Sequence, residues 1–113
     1  MVSIESWSDD ILVVALQDDP GFTDDLAGLL DQLDEKKDVD VVLNFSEVNY
    51  VNSSNIAKLL KLRKLVQVNN RRRLKLCGLN NHVWGVFLVT GLDKIFDFAD
   101  DVTTGLAALQ MNE

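Results

Sequence analysis

The chain has 113 residues, 47% of them apolar and 26% charged, enough for one hydrophobic core and too apolar for general disorder. Its formal charge of −7 argues against nucleic acid as the main partner, and no apolar run reaches the ~20 residues of a membrane span. Cys77 cannot form an internal disulfide, and with His82 it cannot close a zinc site alone.

The charge is unevenly placed. Residues 1–56 hold thirteen acids against two bases, −11, and residues 57–113 hold nine bases against five acids, +4. A partner can therefore meet a basic face on an acidic protein. The start, Met1-Val2-Ser3-Ile4-Glu5, lacks the basic and apolar stretches of a signal peptide, so a cytoplasmic protein is expected.

Val2 and Ile4 alternate with polar residues and suggest a short edge strand, and Ile11–Leu16 is an apolar run suited to a buried one. Asp18-Asp19-Pro20-Gly21 is a turn signal. Phe22, Leu26, Leu29, Leu30 and Leu33 then recur at helical spacing, with Thr23 or Asp19 as candidate caps and Lys36-Lys37 at the end that favours cations. Val39–Phe45 is β-branched and apolar, a central strand. Val48–Val51 is a short link. Asn52-Ser53-Ser54-Asn55 is a cluster of cap residues opening a Leu- and Lys-rich helix over about 56–68.

Leu74–Cys77 reads as the next strand, and Asn80-Asn81 opens a helix carrying Val83, Val86, Phe87 and Thr90 that stops near Gly91. Ile95–Phe98 reads as a last strand. Asp100-Asp101 precedes a final helix with Val102, Leu106 and Leu109. This order predicts an α/β fold, a mostly parallel mixed sheet of about five strands flanked by about four helices, in a single domain over residues 1–113.

Several chemistries find little support. The pairs Asp9-Asp10, Asp18-Asp19, Asp24-Asp25 and Asp100-Asp101 lack the alternating acids, Gly and distant Glu of a calcium loop, and read as solvated turns. His82 is the one histidine base, no Gly-x-Ser-x-Gly elbow is present, and Cys77 falls in a predicted buried strand where thiols are inert. The scattered glycines form neither a P-loop nor a dinucleotide fingerprint. Arg71-Arg72-Arg73 with Lys75 is the strongest basic cluster, but it sits in a turn and lacks aromatics for stacking bases. No cofactor or metal is expected.

The start of the second main helix says more. Ser53 and Ser54 stand where unpaired N–H groups and partial positive charge tolerate an anion. Plain capping by Asn52 or Ser53 is one reading. The other is phosphorylation, which adds about −1.5 to −2 charges, spares the fold and alters whatever docks there. Along this helix Lys58, Lys61 and Lys64 share one side, with Leu65 in the stripe and Leu62 at its edge, while Ile56, Leu59, Leu60 and Val66 lean the other way. Leu62 and Leu65 either pack under a neighbouring helix or belong to an offered face.

From Val41 to Ser54 the chain, Val-Val-Leu-Asn-Phe-Ser-Glu-Val-Asn-Tyr-Val-Asn-Ser-Ser, resembles the STAS family, the anti-sigma factor antagonist domains. Leu74-Lys75-Leu76-Cys77-Gly78-Leu79 and the stretch from Val86 to Phe96, with Thr90-Gly91-Leu92, continue the likeness over nearly the whole chain. The resemblance implies the STAS-like fold and a non-enzymatic role in partner switching. In that scheme the antagonist binds a serine kinase/anti-sigma factor, phosphorylation at the helix start breaks the contact, and a cognate phosphatase restores it. By motif position Ser54 matches the phosphoacceptor, with Ser53 as the alternative. Asn52, Ser53, Ser54, Asn55, Lys58 and Lys61 form the expected docking surface, on a monomer or weak homodimer. Asn44 and Asn52 stand where the family usually has Asp, and Asn55 where it has Gly, a larger residue expected to crowd a docked kinase. Two rivals stay open: a constitutive, non-phosphorylated scaffold or assembly subunit, and a small-molecule or nucleotide-binding regulatory domain.

Overall fold

A computed structural model describes residues 3–111. Five strands form one sheet in the order β1-β2-β3-β4-β5, with β1 Ile4–Ser8, β2 Ile11–Gln17, β3 Asp40–Glu47, β4 Leu74–Cys77 and β5 Asp97–Ala99. β1 runs antiparallel to β2, and the other pairs are parallel. The edge strand is where the alternation places it, although Val2 lies outside the described residues.

The helices are α1 Gly21–Glu35, α2 Ser53–Arg63, α3 Asn81–Thr90 and α4 Val102–Met111. Alternation along the strands explains the layers, because successive side chains point to opposite faces. Leu12, Val14, Leu16, Val41, Leu43, Phe45, Leu74 and Leu76 face the large core, which they share with Phe22, Leu26 and Leu29 of α1, Leu59 and Leu62 of α2 and Val83 and Phe87 of α3. Ile11, Val42 and Cys77 face the other way, under Leu106 and Leu109 of α4. Edge-to-face contacts link Phe22 to Phe45 and Phe45 to Phe87, with centroids 6.1 and 6.5 Å apart, so α1, β3 and α3 share an aromatic spine. Against Cys77, Gly105 leaves no room for a side chain: a Cβ there would lie 2.7 Å from the sulfur.

Two boundaries differ from the sequence expectation. The second helix starts at Ser53 rather than near Ile56, because Asn52 and Asn55 cap it reciprocally, and beyond Arg63 it widens into a π-helical stretch, Lys64–Asn69, with Asn70 N–H donating to Leu65 O at 2.9 Å. Its buried line runs Asn55, Leu59, Leu62, Val66. Leu62 is therefore core, whereas Leu60, placed inward by the wheel, is exposed on the flank. β5 covers Asp97–Ala99 rather than Ile95–Phe98, since a 3-10 turn, Leu92–Lys94, carries the chain past Ile95 before pairing begins. Phe96 still anchors this connection in the core.

The basic run has an internal use. Arg71 adopts φ +57°, a left-handed conformation that turns the chain out of the π stretch. Arg72 Nε then lies 3.0 Å from Asp40 Oδ1, and Arg73 gives Asp40 its backbone N–H at 2.9 Å and a guanidinium contact at 3.2 Å. Arg73 also donates to Leu109 O at 2.8 Å, tying the end of α4 to the sheet. Asp40 is only 4% exposed, so these donors offset the cost of burying its carboxylate.

Candidate functional site

At the carboxyl ends of β2 and β3 three short segments converge: the β2–α1 turn, the β3–α2 link and the first turn of α2. They are held together mainly by amides and carboxylates. Asp18 accepts from the Asn49 N–H at 2.9 Å and the Asn49 side-chain amide at 2.8 Å, with the Tyr50 N–H at 3.5 Å. Asp19 accepts from the N–H and hydroxyl of Thr23 at 3.0 and 2.8 Å, and on its other oxygen from the Asn55 amide at 3.0 Å. The backbone residue at the start of α1 is Pro20, so Asp19 serves that helix end from one position upstream.

These bonds hold both carboxyls below the ordinary carboxylate value. For Asp18 the main cause is the Asn49 amide, and for Asp19 the Asn55 amide followed by the Thr23 hydroxyl, since donors to the ionised form favour it. Asn80, the cap of α3, reaches the same link, donating to Val48 O at 3.2 Å while accepting the Val83 N–H at 2.8 Å. Asn44 accepts the Ser46 N–H at 3.0 Å, at the end of β3. The link is thus fixed from the β2–α1 turn through Asp18 and from the cap of α3 through Asn80.

On this base α2 begins. Asn55 N–H donates to Asn52 Oδ1 at 2.8 Å, and Asn52 N–H to Asn55 Oδ1 at 3.1 Å. Ser53 and Ser54 are exposed immediately after the cap. Lys58, one turn on, donates to Ser54 Oγ at 2.9 Å. That contact uses an acceptor lone pair of the hydroxyl and leaves its proton free to be given away. Among the described residues no carboxylate is hydrogen-bonded to this hydroxyl.

The expected docking residues do not all meet. Asn52, Ser53 and Ser54 share the exposed start of α2, with the half-buried Lys58 one turn on. Lys61 is exposed but lies about 10 Å further along the axis from Ser54, at a rise of ~1.5 Å per residue. Asn55 is a correction: at 2% exposure, with its amide turned to Asp19, it is no contact surface and does not crowd the neighbourhood of Ser54. It shapes the site from beneath, satisfying polar groups that glycine would leave to other partners. Asp19, a candidate cap of α1 in the sequence, does accept the Thr23 N–H, but nothing local marks its bond to Asn55, the bonds of Asp18 to Asn49, or Tyr50 as part of the site. Tyr50, an aromatic two residues before a cap, is 47% exposed on the braced link.

The other residues singled out in the sequence lie apart from this site. His82 is exposed in the first turn of α3, and Cys77 is fully buried, with its thiol pushed up to about 11 by burial and then by Asp101. Among the described residues no cluster of three His, Cys, Asp or Glu side chains is placed to hold a metal, and no helix is long and apolar enough to cross a membrane. A shallow cavity of about 300 Å³ beside α3 is lined by Leu79, Asn81, Trp84, Phe98, Ala99 and Asp100. It offers an acid and no cation, a poor match to the phosphates of a nucleotide.

The STAS domain model matches residues 4–105. No curated protein matches. Among solved structures, an RsbS variant from Moorella thermoacetica with a serine-to-glutamate substitution is 22% identical, covering 97% of each chain at a TM-score of 0.78. An anti-sigma-factor antagonist (STAS) domain protein from Planctomyces limnophilus is 16% identical, covering 95% of this chain and 97% of its own, with a TM-score of 0.79. A chain of the stressosome, a signal integration and transduction hub, is 22% identical over 96% of each chain, with a TM-score of 0.77. At these identities the structural likeness is one of fold.

Proposed function

The chain belongs to the STAS domain family, and from that premise we propose that it is a non-enzymatic signalling switch of the anti-sigma factor antagonist type. It docks a serine kinase/anti-sigma factor over the start of α2, and phosphorylation of Ser54 controls that docking. The observation that carries this reading is the exposed Ser54 hydroxyl, met by Lys58 in the first turns of α2, a helix start that Asp19 braces through Asn55 while Asp18 holds the preceding link through Asn49. The kinase transfers the γ-phosphoryl group of ATP to Oγ: the new O–P bond forms, ADP leaves, and the hydroxyl proton passes to a base on the kinase. A phosphatase returns the hydroxyl by hydrolysis, releasing inorganic phosphate.

The physics favours a switch that leaves the fold intact. A phosphate at the second residue of a helix meets the positive end of the dipole and the Lys58 ammonium, while a partner seated there meets a new charge that it must desolvate. Tyr50, exposed on the link that leads into α2, suits an apolar anchor for that partner. Ser54→Asp is expected to weaken binding to the kinase about tenfold or more, which is ~1.4 kcal/mol, while far-UV circular dichroism and the thermal melt stay close to wild type. An unfolded variant would reduce the serine to a capping role.

A second reading, a constitutive scaffold subunit, draws on the likeness to the stressosome chain. It predicts a complex that Ser54→Asp leaves unchanged.

A further inference from the structure

The charge asymmetry of the sequence is not consumed by the fold. α1 carries Asp31 and Asp34 on its exposed side, and the neighbouring α2 and its π continuation carry Lys61 and Lys64. Between the two pairs runs a groove of about 520 Å³, whose lining also includes the apolar Ala27, Leu30 and Leu65 and the polar Asn69. Among the described residues the ion pairs are those of Lys36 with Asp38 and of Arg72 and Arg73 with Asp40, so neither wall of the groove is paired with the other. The result is a partly apolar groove with one acidic and one basic wall.

We infer that this α1–α2 face is a self-association surface whose occupant is a second copy of the chain, with the acidic wall of each copy against the basic wall of the other. The symmetry argument is direct. A two-fold axis along the groove places α1 of one molecule opposite α2 of its mate, at both walls at once, with the apolar residues of the two grooves facing each other. A second copy carries both complementary stripes at the required spacing by construction. The inference stands apart from phosphorylation of Ser54, because Asp31, Asp34 and Lys64 take no part in that site. Lys61 lies on both surfaces, so a dimer and a kinase docked down α2 would compete.

Reciprocal charge reversal tests this. One variant, Lys61→Glu with Lys64→Glu, has two acidic walls. The other, Asp31→Lys with Asp34→Lys, has two basic walls. Sedimentation velocity follows each alone and in equimolar mixture, with far-UV circular dichroism checking the fold. Wild-type protein should form a dimer whose fraction rises with concentration up to about 1 mM, the range of a weak complex. Each variant alone should be monomeric at least tenfold beyond the wild-type midpoint, and the mixture should regain the dimer, its summed charge matching that of two wild-type chains. The milder pair Lys61→Glu and Asp34→Lys gives the same readout if a double variant unfolds. A wild-type protein monomeric throughout, a dimer undiminished in either variant, or a mixture that stays monomeric would overturn the inference.

Discussion

The two ends of the parallel sheet solve opposite problems with similar residues. At the amino ends of the strands Asp40 is buried against two arginines, one of which also grips the end of α4. At the carboxyl ends Asp18 and Asp19 are met by amides and a hydroxyl, and among the described residues no cation is paired with either. The first arrangement uses its charges up and fastens the second face of the sheet. The second spends neutral donors to brace a link, so the charge and hydroxyls next to it, Lys58, Ser53 and Ser54, stay outward. A charge run is thus no guide to a surface, and a site is recognised by what its supports leave free.

The comparison breaks most visibly at Asp40. Asp40→Ala removes acceptors for the Arg72 and Arg73 guanidiniums and the Arg73 N–H. The arginines are partly exposed, so the loss should be about 2–3 kcal/mol, below the ~3–5 of a fully buried pair. Urea unfolding measures it, and a change under about 0.5 kcal/mol, the scale of an ordinary surface substitution, would make this end no more structural than the other.

At the opposite end Asn55→Ala removes half of the reciprocal cap and leaves Asp19 Oδ2 without its amide. About 1–2 kcal/mol should be lost by the same measurement. Asn55→Gly, the residue usual in the family, should cost about as much here, because this chain has built its brace on the amide. A neutral outcome for both would mean that the brace is ornamental.

Acid titrates the second end in a defined direction. Asp18 and Asp19 lie below the ordinary carboxylate value of 3.8. A lowered folded-state pKa contributes stability above the unfolded value, and that contribution disappears as pH falls through the folded value. The melting temperature should therefore drop below about pH 4, less steeply in the Asp18→Asn and Asp19→Asn variants than in wild type. Equal slopes would place the acid-sensitive groups elsewhere.

The smallest effect should come from Ser54. Ser54→Asp puts a negative charge at a helix start beside Lys58 and should change stability by less than about 1 kcal/mol, in the stabilising direction. A loss larger than that would tie Ser54 to the fold as firmly as Asn55.

Much of the architecture is legible in the sequence. The alternation of strands and helices predicts a mostly parallel sheet of about five strands, which the structure has, whereas the order of the strands within it is not written in that pattern. The cluster Asn52-Ser53-Ser54-Asn55 announces a helix start, though not its first residue, and Gly91 marks the end of α3. What stays hidden depends on partners distant in the chain. Asp40 meets Arg72 32 residues away and Asp19 meets Asn55 36 residues away, and no local pattern marks either bond. For that reason the arginine run read as surface, the aspartate pair as a solvated turn, and Asn55 as a contact residue. Ile95 and Phe96 misled through β propensity, which a turn overrode before β5 began.

The account turns on Ser54, and one measurement reaches it directly: phosphopeptide mass spectrometry of the protein isolated from its own cells before and after a general stress. Trypsin releases residues 38–58 as one peptide holding Ser46, Ser53 and Ser54, so fragment ions must locate the group. The account predicts phosphate on Ser54 in a fraction that changes with the stress. A peptide detected clearly and unmodified under every condition would contradict it and leave a constitutive scaffold in its place.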